Sequence, residues 1–537
     1  MKESSQAARG VLALSIAGIL SKVISVLYVP FLTKILGGVG YGYYAQITEV
    51  YLFVYAITTV GAQPAVAKLV SELSAKGYEK EATKALKISR KFYGTIGCIV
   101  AVLMILLAFP LARNIQGLEG VGYGIIALSP CVIATSLLAT YRGYMQGKNN
   151  MKAIAISQIL EQFINVILSL LFAFIFVQSS YELGAAGGQI GTSVGAFFAF
   201  VFLIYCYQKR EYEDIEISDD EVKKGLSNKR ILNKLIMYSI PIVLNAGIQN
   251  FGGMVDMINV KGRLMAAGFS QELATIYYGD YGLYKTIYGV PMIVITAIAT
   301  TVLPSISSLR VLNDKKEIRR KIRNAFRLTL VIAIPSAVGL SVISDNIFYA
   351  LFGHNRNAFL LTCGSYVLVL MAYTQIQNVI LQGINKFYYI LVTFAVGIIF
   401  KIIFNYIFVA IPKINIYGVL FGNTIWYLIP AILNHRLIKR TMKMKLFVVK
   451  LFFKPLISSA VMGAVIYFVQ KALGFVYKYI PQSRYTAVGF LIVLIPIAGF
   501  VYGYLMILMG GIRNEDIQSI SPKIIKFLPR FMRVKLR

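Results

Sequence analysis

Apolar residues occur along this chain in continuous runs of about 20 positions or more, separated by short polar segments. A run of that length is what an α-helix needs to cross the hydrocarbon core of a bilayer. The runs define 14 candidate spans, centred near residues 22, 52, 101, 131, 165, 196, 244, 291, 336, 368, 399, 424, 461 and 497. Strands of an outer-membrane barrel would instead alternate polar and apolar positions. The pattern therefore predicts an all-α polytopic membrane protein with 14 transmembrane helices.

A polar stretch at 209–230 separates the sixth span from the seventh and is typical of a linker. We expect a first lobe at 1–207, a cytoplasmic linker at 208–230, a second lobe at 231–435, two further spans at 436–510 and a basic cytoplasmic tail at 511–537. The tail interleaves seven Lys and Arg residues with apolar ones, which is typical of a positive-inside segment and also of a segment that binds an anionic membrane surface.

An internal repeat supports the division into two lobes. A shift of 240 positions places 44–69 on 284–309, and a shift of 236 places 146–172 on 382–408, each with six identities. Both copies begin on the same side of the membrane, so the repeat is parallel. We expect two six-helix lobes that rock about a central cavity, as in transporters built from such repeats.

Composition agrees with a membrane protein. Hydrophobic residues make up 57% of the chain, charged residues only 14%, and the mean hydropathy is +0.69. These values exclude a soluble globular enzyme, a disordered chain and a disulfide scaffold.

The net charge of +31 has a one-sided distribution. Of the 54 Lys and Arg residues, 41 fall on the predicted inner side and nine on the outer side. This is the positive-inside pattern of a cytoplasmic membrane protein with both termini in the cytoplasm. The excess charge therefore indicates an inner membrane face and no nucleic-acid partner.

The rare metal-ligating residues predict neither a metal site nor a cofactor. The four cysteines all lie within or at the ends of spans, without the spacing of a metal site or a disulfide framework. The two histidines are His354 and His435, both near span ends. We therefore expect a protein that is not an enzyme.

Charged residues inside the predicted spans are candidates for a functional site, because a charge at mid-bilayer costs about 2.5–3.5 kcal/mol and usually faces a cavity. Lys22 and Lys401 lie deep, and Lys285 lies about two turns from the outer end of its span. The acids are Glu49 and Glu161. Two interpretations remain open: buried ion pairs, such as Lys22 with Glu49, or a cavity whose lysines bind an anionic substrate.

Uncharged polar side chains extend this candidate set. Asn165 and Asn405 belong to it, and the repeat aligns Asn165 with Lys401. Such side chains fit interhelical hydrogen bonds and a sugar-facing wall equally well. The candidate substrate-binding residues are thus Lys22, Lys285, Lys401, Glu49, Glu161, Asn165 and Asn405.

Several motifs resemble the polysaccharide-export branch of the multidrug/oligosaccharidyl-lipid/polysaccharide exporter superfamily. They are SKV at 21–23 with Pro30, QP at 63–64, and the run RGYMQGKNNMK at 142–152 followed by SQxxEQ at 157–162. The last two are similar to the stage V sporulation protein B subgroup, which is related to MurJ-type lipid II flippases. The resemblance covers essentially the full length.

The resemblance implies a flippase for undecaprenyl-diphosphate-linked sugars, used in peptidoglycan or other wall polymers in vegetative cells or spores. It also implies membrane lipids and cell-wall synthesis enzymes as partners. Lys22 matches a family cation that engages the diphosphate, while a second family cation falls on Tyr28. Where some relatives carry sodium-binding acids, this chain has Asn245, Lys401 and Asn405, so Lys401 is a candidate tethered cation. The last two spans would form a groove for the lipid tail.

Two rival functions remain. A multidrug or organic-cation antiporter would be expected to have 12 spans and acids in its cavity. A membrane-embedded glycosyltransferase or polymerase would need a carboxylate or histidine cluster beside a sizeable loop, and the predicted outer loops are short.

Overall fold

The computed structural model describes residues 2–115, 117–118, 120–213, 226–444, 448–475 and 483–511. The regular secondary structure of these residues is α-helical, with one short 3-10 helix at Asn415–Tyr417 and no strand. The predicted basic tail lies outside the described residues except for Gly511, as does the middle of the predicted linker. The helices are α1 (Lys2–Leu27), α2 (Val29–Thr58), α3 (Ala62–Ser74), α4 (Glu79–Asn114), α5 (Gly122–Gly147), α6 (Met151–Phe176), α7 (Tyr181–Glu213), α8 (Asn228–Ala266), α9 (Gln271–Val311), α10 (Lys315–Val342), α11 (Ser344–Phe352), α12 (Phe359–Gly364), α13 (Tyr366–Gly383), α14 (Phe387–Phe408), α15 (Gly418–Met442), α16 (Val448–Gly474) and α17 (Arg484–Leu508).

The predicted all-α membrane fold is confirmed, whereas the count of 14 spans is not. Twelve segments of the described chain are long and apolar enough to cross a membrane. The first of these, Ile16–Ser74, has 59 residues and includes both of the first two predicted spans. The tenth predicted span corresponds to α13, which has only 18 residues and is not among the twelve.

The chain divides into two compact units. Unit 1 consists of Met1–Gly282 and Phe394–Gly422, and unit 2 of Leu283–Thr393 and Asn423–Arg537. These boundaries cut through α9, α14 and α15, so the units differ from the lobes drawn from the repeat. The predicted boundaries at 207 and 231 stay a prediction.

Close helix packing in unit 1 depends on small residues of the RGYMQG motif. A Cβ on Gly143 would lie 2.6 Å from the carbonyl oxygen of Gln63, and one on Gly147 would lie 2.7 Å from the Cβ of Val70. Gln63 Nε2 also donates a hydrogen bond of 3.0 Å to Gln146 Oε1. The motif therefore holds α5 directly against α3.

The repeat is visible in two helix ends. Asn149 follows α5 with φ 57°, and Asn385 follows α13 with φ 63°. In each case the next backbone N–H bonds five residues back, from Asn150 to Met145 at 2.8 Å and from Lys386 to Leu381 at 2.7 Å. This is the left-handed C-terminal cap in which asparagine substitutes for glycine. The alignment of 146–172 with 382–408 thus reproduces backbone geometry as well as residue identity.

Candidate functional site

The deep lysine of α14 forms a fully buried ion pair. Lys401 and Asp256 of α8 are 0% and 1% exposed, and Lys401 Nζ lies 2.9 Å from Asp256 Oδ2. Because neither charge can reach water, each depends on the other and on neighbouring dipoles for its stabilisation. Both residues belong to unit 1.

Two further residues complete the coordination of the Asp256 carboxylate. Asn405, one turn after Lys401, donates from Nδ2 to Oδ1 at 2.8 Å. The hydroxyl of Tyr281, from α9, donates to Oδ2 at 2.8 Å. We call Asp256, Tyr281, Lys401 and Asn405 the Asp256 cluster. Its three donors come from two helices and converge on a carboxylate of a third, so the cluster ties α8, α9 and α14 together.

The Asp256 cluster changes the interpretation of two predicted site residues. The ammonium of Lys401 and the amide of Asn405 are directed at a carboxylate of the same protein. A substrate diphosphate would have to compete with that carboxylate for Lys401. A substrate-binding role for Lys401 and Asn405 stays a prediction, and in the conformation described here they neutralise and orient Asp256.

The hydropathy pattern does not predict Asp256. It centres the seventh span near residue 244, and the polar residues that follow lie beyond the apolar stretch. In the structure α8 continues to Ala266, and Lys261 is 0% exposed. A signal was present in the spacing: Gly252, Asp256 and Val260 recur every fourth position and are all buried, which is the pattern of one helix face.

Asn165 occupies the position in α6 that the repeat aligns with Lys401. A Cβ on Gly191 of α7 would lie 2.6 Å from Asn165 O and 2.3 Å from Ser169 N. At the start of α15, a Cβ on Gly422 would lie 3.4 Å from Lys401 O and 2.0 Å from Asn405 Oδ1. The register of the repeat is thus the same at both helix contacts.

The two copies differ in their chemistry. Asn165 Oδ1 accepts hydrogen bonds from the hydroxyls of Ser169, at 2.8 Å, and Thr192, at 3.2 Å. The aligned position in the second copy carries Lys401, a buried cation that is paired with the carboxylate of Asp256 on α8. Asn165 therefore has an interhelical structural contact, and its predicted substrate role is untested.

Lys22 lies on an exposed, largely apolar surface of α1. Its side chain is exposed, and so are its neighbours Ile19, Leu20 and Val23, at 43%, 46% and 40%. No ion pair involves Lys22 within the part of the chain that the structure describes. The Lys22–Glu49 pair considered from the sequence is therefore not formed in this conformation.

The side chain of Glu49, on α2, instead packs against Gly253 of α8. It is 8% exposed, and a Cβ on Gly253 would lie only 1.8 Å from its Oε2. Gly253 therefore leaves the space that the Glu49 carboxylate occupies.

Glu161 is also engaged within the protein. Its Oε2 accepts a hydrogen bond of 2.6 Å from Arg142 Nη2, and Arg142 Nε donates to Ser157 Oγ at 3.1 Å. These residues come from the RGYMQG and SQxxEQ motifs, so the motif pair ties α5 to α6. Lys285 is half-buried and belongs to unit 2, whereas Lys22 and Lys401 belong to unit 1.

The described residues contain no group of three or more His, Cys, Asp or Glu side chains that could hold a metal ion. The Asp256 cluster contains one carboxylate, and the ammonium of Lys401 lies 2.9 Å from it.

A family model described as "Polysaccharide biosynthesis protein" matches residues 7–310 of this chain. This region spans more than half of the sequence and includes every motif on which the resemblance to polysaccharide exporters rests. The resemblance is therefore confirmed at the level of the family.

Relatives of similar length support the same placement. The lipid II flippase MurJ of Bacillus subtilis (strain 168) is 24% identical over 553 residues, covering 99% of each chain. Stage V sporulation protein B of the same organism is 24% identical over 411 residues, covering 76% of this chain and 79% of that protein.

Solved structures share the fold at low identity. An inward closed conformation of the lipid II flippase MurJ has a TM-score of 0.67 at 17% identity and covers 93% of this chain and 98% of that one. An inward-facing multidrug resistance transporter of the MATE family has a TM-score of 0.62 at 14% identity and covers 81% of this chain and 100% of that one. The protein is therefore a multi-pass membrane protein with a fold that flippases and drug transporters share.

Proposed function

Because the chain belongs to the polysaccharide biosynthesis protein family, we propose that it is a flippase for an undecaprenyl-diphosphate-linked saccharide. The substrate would be lipid II or another cell-wall precursor, moved across the cytoplasmic membrane by alternating access. The observation that carries this proposal is the likeness to the lipid II flippase MurJ over 99% of both chains. The protein would act as a transporter and not as an enzyme.

The charge distribution supports the membrane orientation that this function requires. Lys and Arg residues concentrate in segments of the same predicted side, with 41 against nine. The positive-inside rule then places both termini in the cytoplasm. The precursor would be collected from the leaflet where it is made and released at the outer one.

Lys22 is the residue that we propose to contact the diphosphate. It is exposed on α1 among apolar side chains, and no acid within the described residues neutralises it. A lysine ammonium in a surrounding of low dielectric constant attracts a diphosphate strongly. It also binds phosphate as a point charge, without the planar geometry that arginine imposes.

A strain depleted of its own lipid II flippase tests both the function and the role of Lys22. The protein should restore growth and prevent accumulation of the lipid-linked precursor. The Lys22→Ala variant should abolish this rescue at unchanged protein abundance, while Lys22→Arg should keep part of it. Lys87→Ala is the matched control, because Lys87 is an exposed lysine on α4 outside the proposed site.

Two results would contradict the proposal. If the wild-type protein neither restores growth nor prevents precursor accumulation, but lowers cellular uptake of organic cations, the antiporter alternative holds. The MATE structure shares the fold alone and so favours neither substrate. If purified protein transfers sugar between donor and acceptor lipids, the glycosyltransferase alternative holds.

A further inference from the structure

A basic cavity lies beside the charged half of α10. Its volume is about 710 Å³. Five cations and two acids line it, which leaves an excess of three positive charges. The lining is Lys316, Arg319, Arg320, Arg323, Arg327, Asp314 and Glu317, with Asn324 and with Leu451 of α16.

The acids neutralise little of this cavity. Asp314 caps α10, since its Oδ1 accepts a hydrogen bond of 2.9 Å from the backbone N–H of Glu317. Glu317 Oε2 lies 3.6 Å from Arg320 Nη1, and the two side chains are 32% and 65% exposed. A pair that is so exposed and so long contributes little. Arg320 therefore remains able to bind an anion from solution or from a membrane.

A second cavity, of about 360 Å³, lies further along α10 and is mostly apolar. Its lining comes from α10, α13, α15 and α16. Only His435, Arg436 and the hydroxyl of Tyr373 interrupt an otherwise hydrocarbon wall, and His435 Nδ1 is hydrogen-bonded to that hydroxyl at 2.8 Å. The apolar lining residues are Leu330, Val369, Leu370, Ala431, Ile432 and Phe452.

The two cavities follow one another on the same helices. Arg327 lines the basic cavity and Leu330 the apolar one, a separation of about 4.5 Å along α10. On α16, Leu451 lines the basic cavity and the next residue, Phe452, lines the apolar one. Both cavities belong to unit 2. A charged compartment therefore gives way to an apolar one over about one helical turn.

The N-terminal end of α10 is held in place by the end of α15. Arg319 Nε donates a hydrogen bond of 2.8 Å to the backbone carbonyl of Met442. Arg319 therefore has a structural contact, whereas Arg320 and Arg323, like Lys316, are exposed cations in the lining of the cavity.

We propose that the two cavities form one binding site for an anionic diacyl phospholipid of the inner leaflet. The phosphate of the headgroup would lie against Arg320 and Arg323, whose guanidinium groups can each donate two hydrogen bonds to phosphate oxygens. One acyl chain would enter the apolar cavity. Basic pockets between helices on the cytoplasmic side of a membrane are suited to such headgroups, and the positive-inside pattern places this end of α10 there.

This proposal does not depend on what the protein transports, because it concerns a resident lipid and its test measures binding alone. The full-length protein, purified in a neutral detergent, would be titrated with fluorescent phosphatidylglycerol and with phosphatidylcholine of the same acyl chains. We expect phosphatidylglycerol to bind at least about tenfold more tightly.

Charge-removing variants on the same helix separate a site from general attraction. Arg320→Gln with Arg323→Gln should weaken phosphatidylglycerol binding about tenfold or more, since each basic residue near an anionic headgroup contributes appreciably. Lys315→Gln with Lys321→Gln removes the same charge from exposed positions of α10 that do not line the cavity, and should change binding less than twofold. Ile432→Trp should also weaken binding, because it fills the apolar cavity while leaving the charges intact.

Four outcomes would overturn the proposal. Equal binding of phosphatidylglycerol and phosphatidylcholine would exclude headgroup recognition. Equal losses in the two double variants would reduce the effect to net charge. Full competition by glycerol phosphate would show that no acyl chain is bound. Tighter binding of a polyprenyl diphosphate, lost in the Arg320/Arg323 variant, would assign the cavity to the transported lipid.

Discussion

Asp256 is the residue on which the polar interior of unit 1 converges. A buried carboxylate is tolerated only when a counter-ion and hydrogen-bond donors replace water. Lys401, Asn405 and Tyr281 supply these, with three donor atoms 2.8–2.9 Å from its two oxygens. The pair need not stabilise the fold compared with two apolar residues, but leaving one member alone would strand a charge.

We therefore predict that Lys401→Met destabilises the protein by about 3–5 kcal/mol, because Asp256 keeps a buried charge without its cation. Thermal unfolding of the purified protein and its abundance in membranes measure the loss. The double variant Lys401→Met with Asp256→Leu should recover most of the stability. Lys386→Met, at an exposed lysine before α14, serves as control and should be near neutral. A double variant as unstable as the single one would contradict the charge argument.

At the scale of the helix, glycines fix the distance between α3 and α5. A Cβ on Gly143 would meet the Gln63 carbonyl oxygen at 2.6 Å, and backbone cannot rotate away as a side chain can. The RGYMQG motif is thus explained in part by packing, independently of any substrate.

Gly143→Ala should accordingly destabilise the protein by about 1–3 kcal/mol through overpacking. Gly289→Ala is the matched control: Gly289 is also helical, and a Cβ there would meet no atom within 4 Å. It should be neutral or stabilising by up to about 1 kcal/mol, since alanine is the better helix former. The melting temperatures of the two variants, measured in the same detergent, test this difference. Equal destabilisation by Gly143→Ala and Gly289→Ala would refute the packing explanation.

The matched ends of α5 and α13 give a second prediction for helices. Asn149 and Asn385 have φ of 57° and 63°, a region that costs about 1–2 kcal/mol for most residues, is adopted by asparagine more readily and is adopted by glycine without this penalty. Asn149→Gly and Asn385→Gly should therefore leave unfolding temperatures unchanged or raise them. The corresponding alanine variants should lower them, by similar amounts at both ends. If only one of the two alanine variants had a lower unfolding temperature, Asn149 and Asn385 would not have equivalent structural roles.

At the scale of the whole molecule, the orientation in the membrane is open to a direct test. In a background without Cys98, Cys131, Cys206 and Cys363, Ser179→Cys should react with a membrane-impermeant thiol reagent in intact cells. Asn228→Cys should react only after the membrane is permeabilised, because 41 of the 54 basic residues lie on its predicted side. Both positions are exposed, so access to the reagent depends on the side of the membrane. The reverse labelling pattern would overturn the proposed orientation.

The sequence alone determined the class of fold and the family. Long apolar runs require helices in a membrane, because hydrocarbon offers backbone groups no hydrogen-bond partners, and this prediction is confirmed. The motifs at 142–152 and 157–162 indicated the exporter family, which the match over 7–310 confirms. The register that aligns Asn165 with Lys401 also recurs in the helix contacts of Gly191 and Gly422.

Only the tertiary structure decided which charges meet. Hydropathy marks where a span is apolar, but α8 extends past that stretch, so the pattern gives no reason to pair Asp256 with Lys401. The same limit applies to Lys22 and Glu49, which were considered as partners and form no pair in the described structure. An ion pair forms only where two oppositely charged side chains come within about 4 Å of each other. Which side chains do so is decided by the packing of helices that are far apart in sequence: Lys401 and Asp256 are more than 100 residues apart.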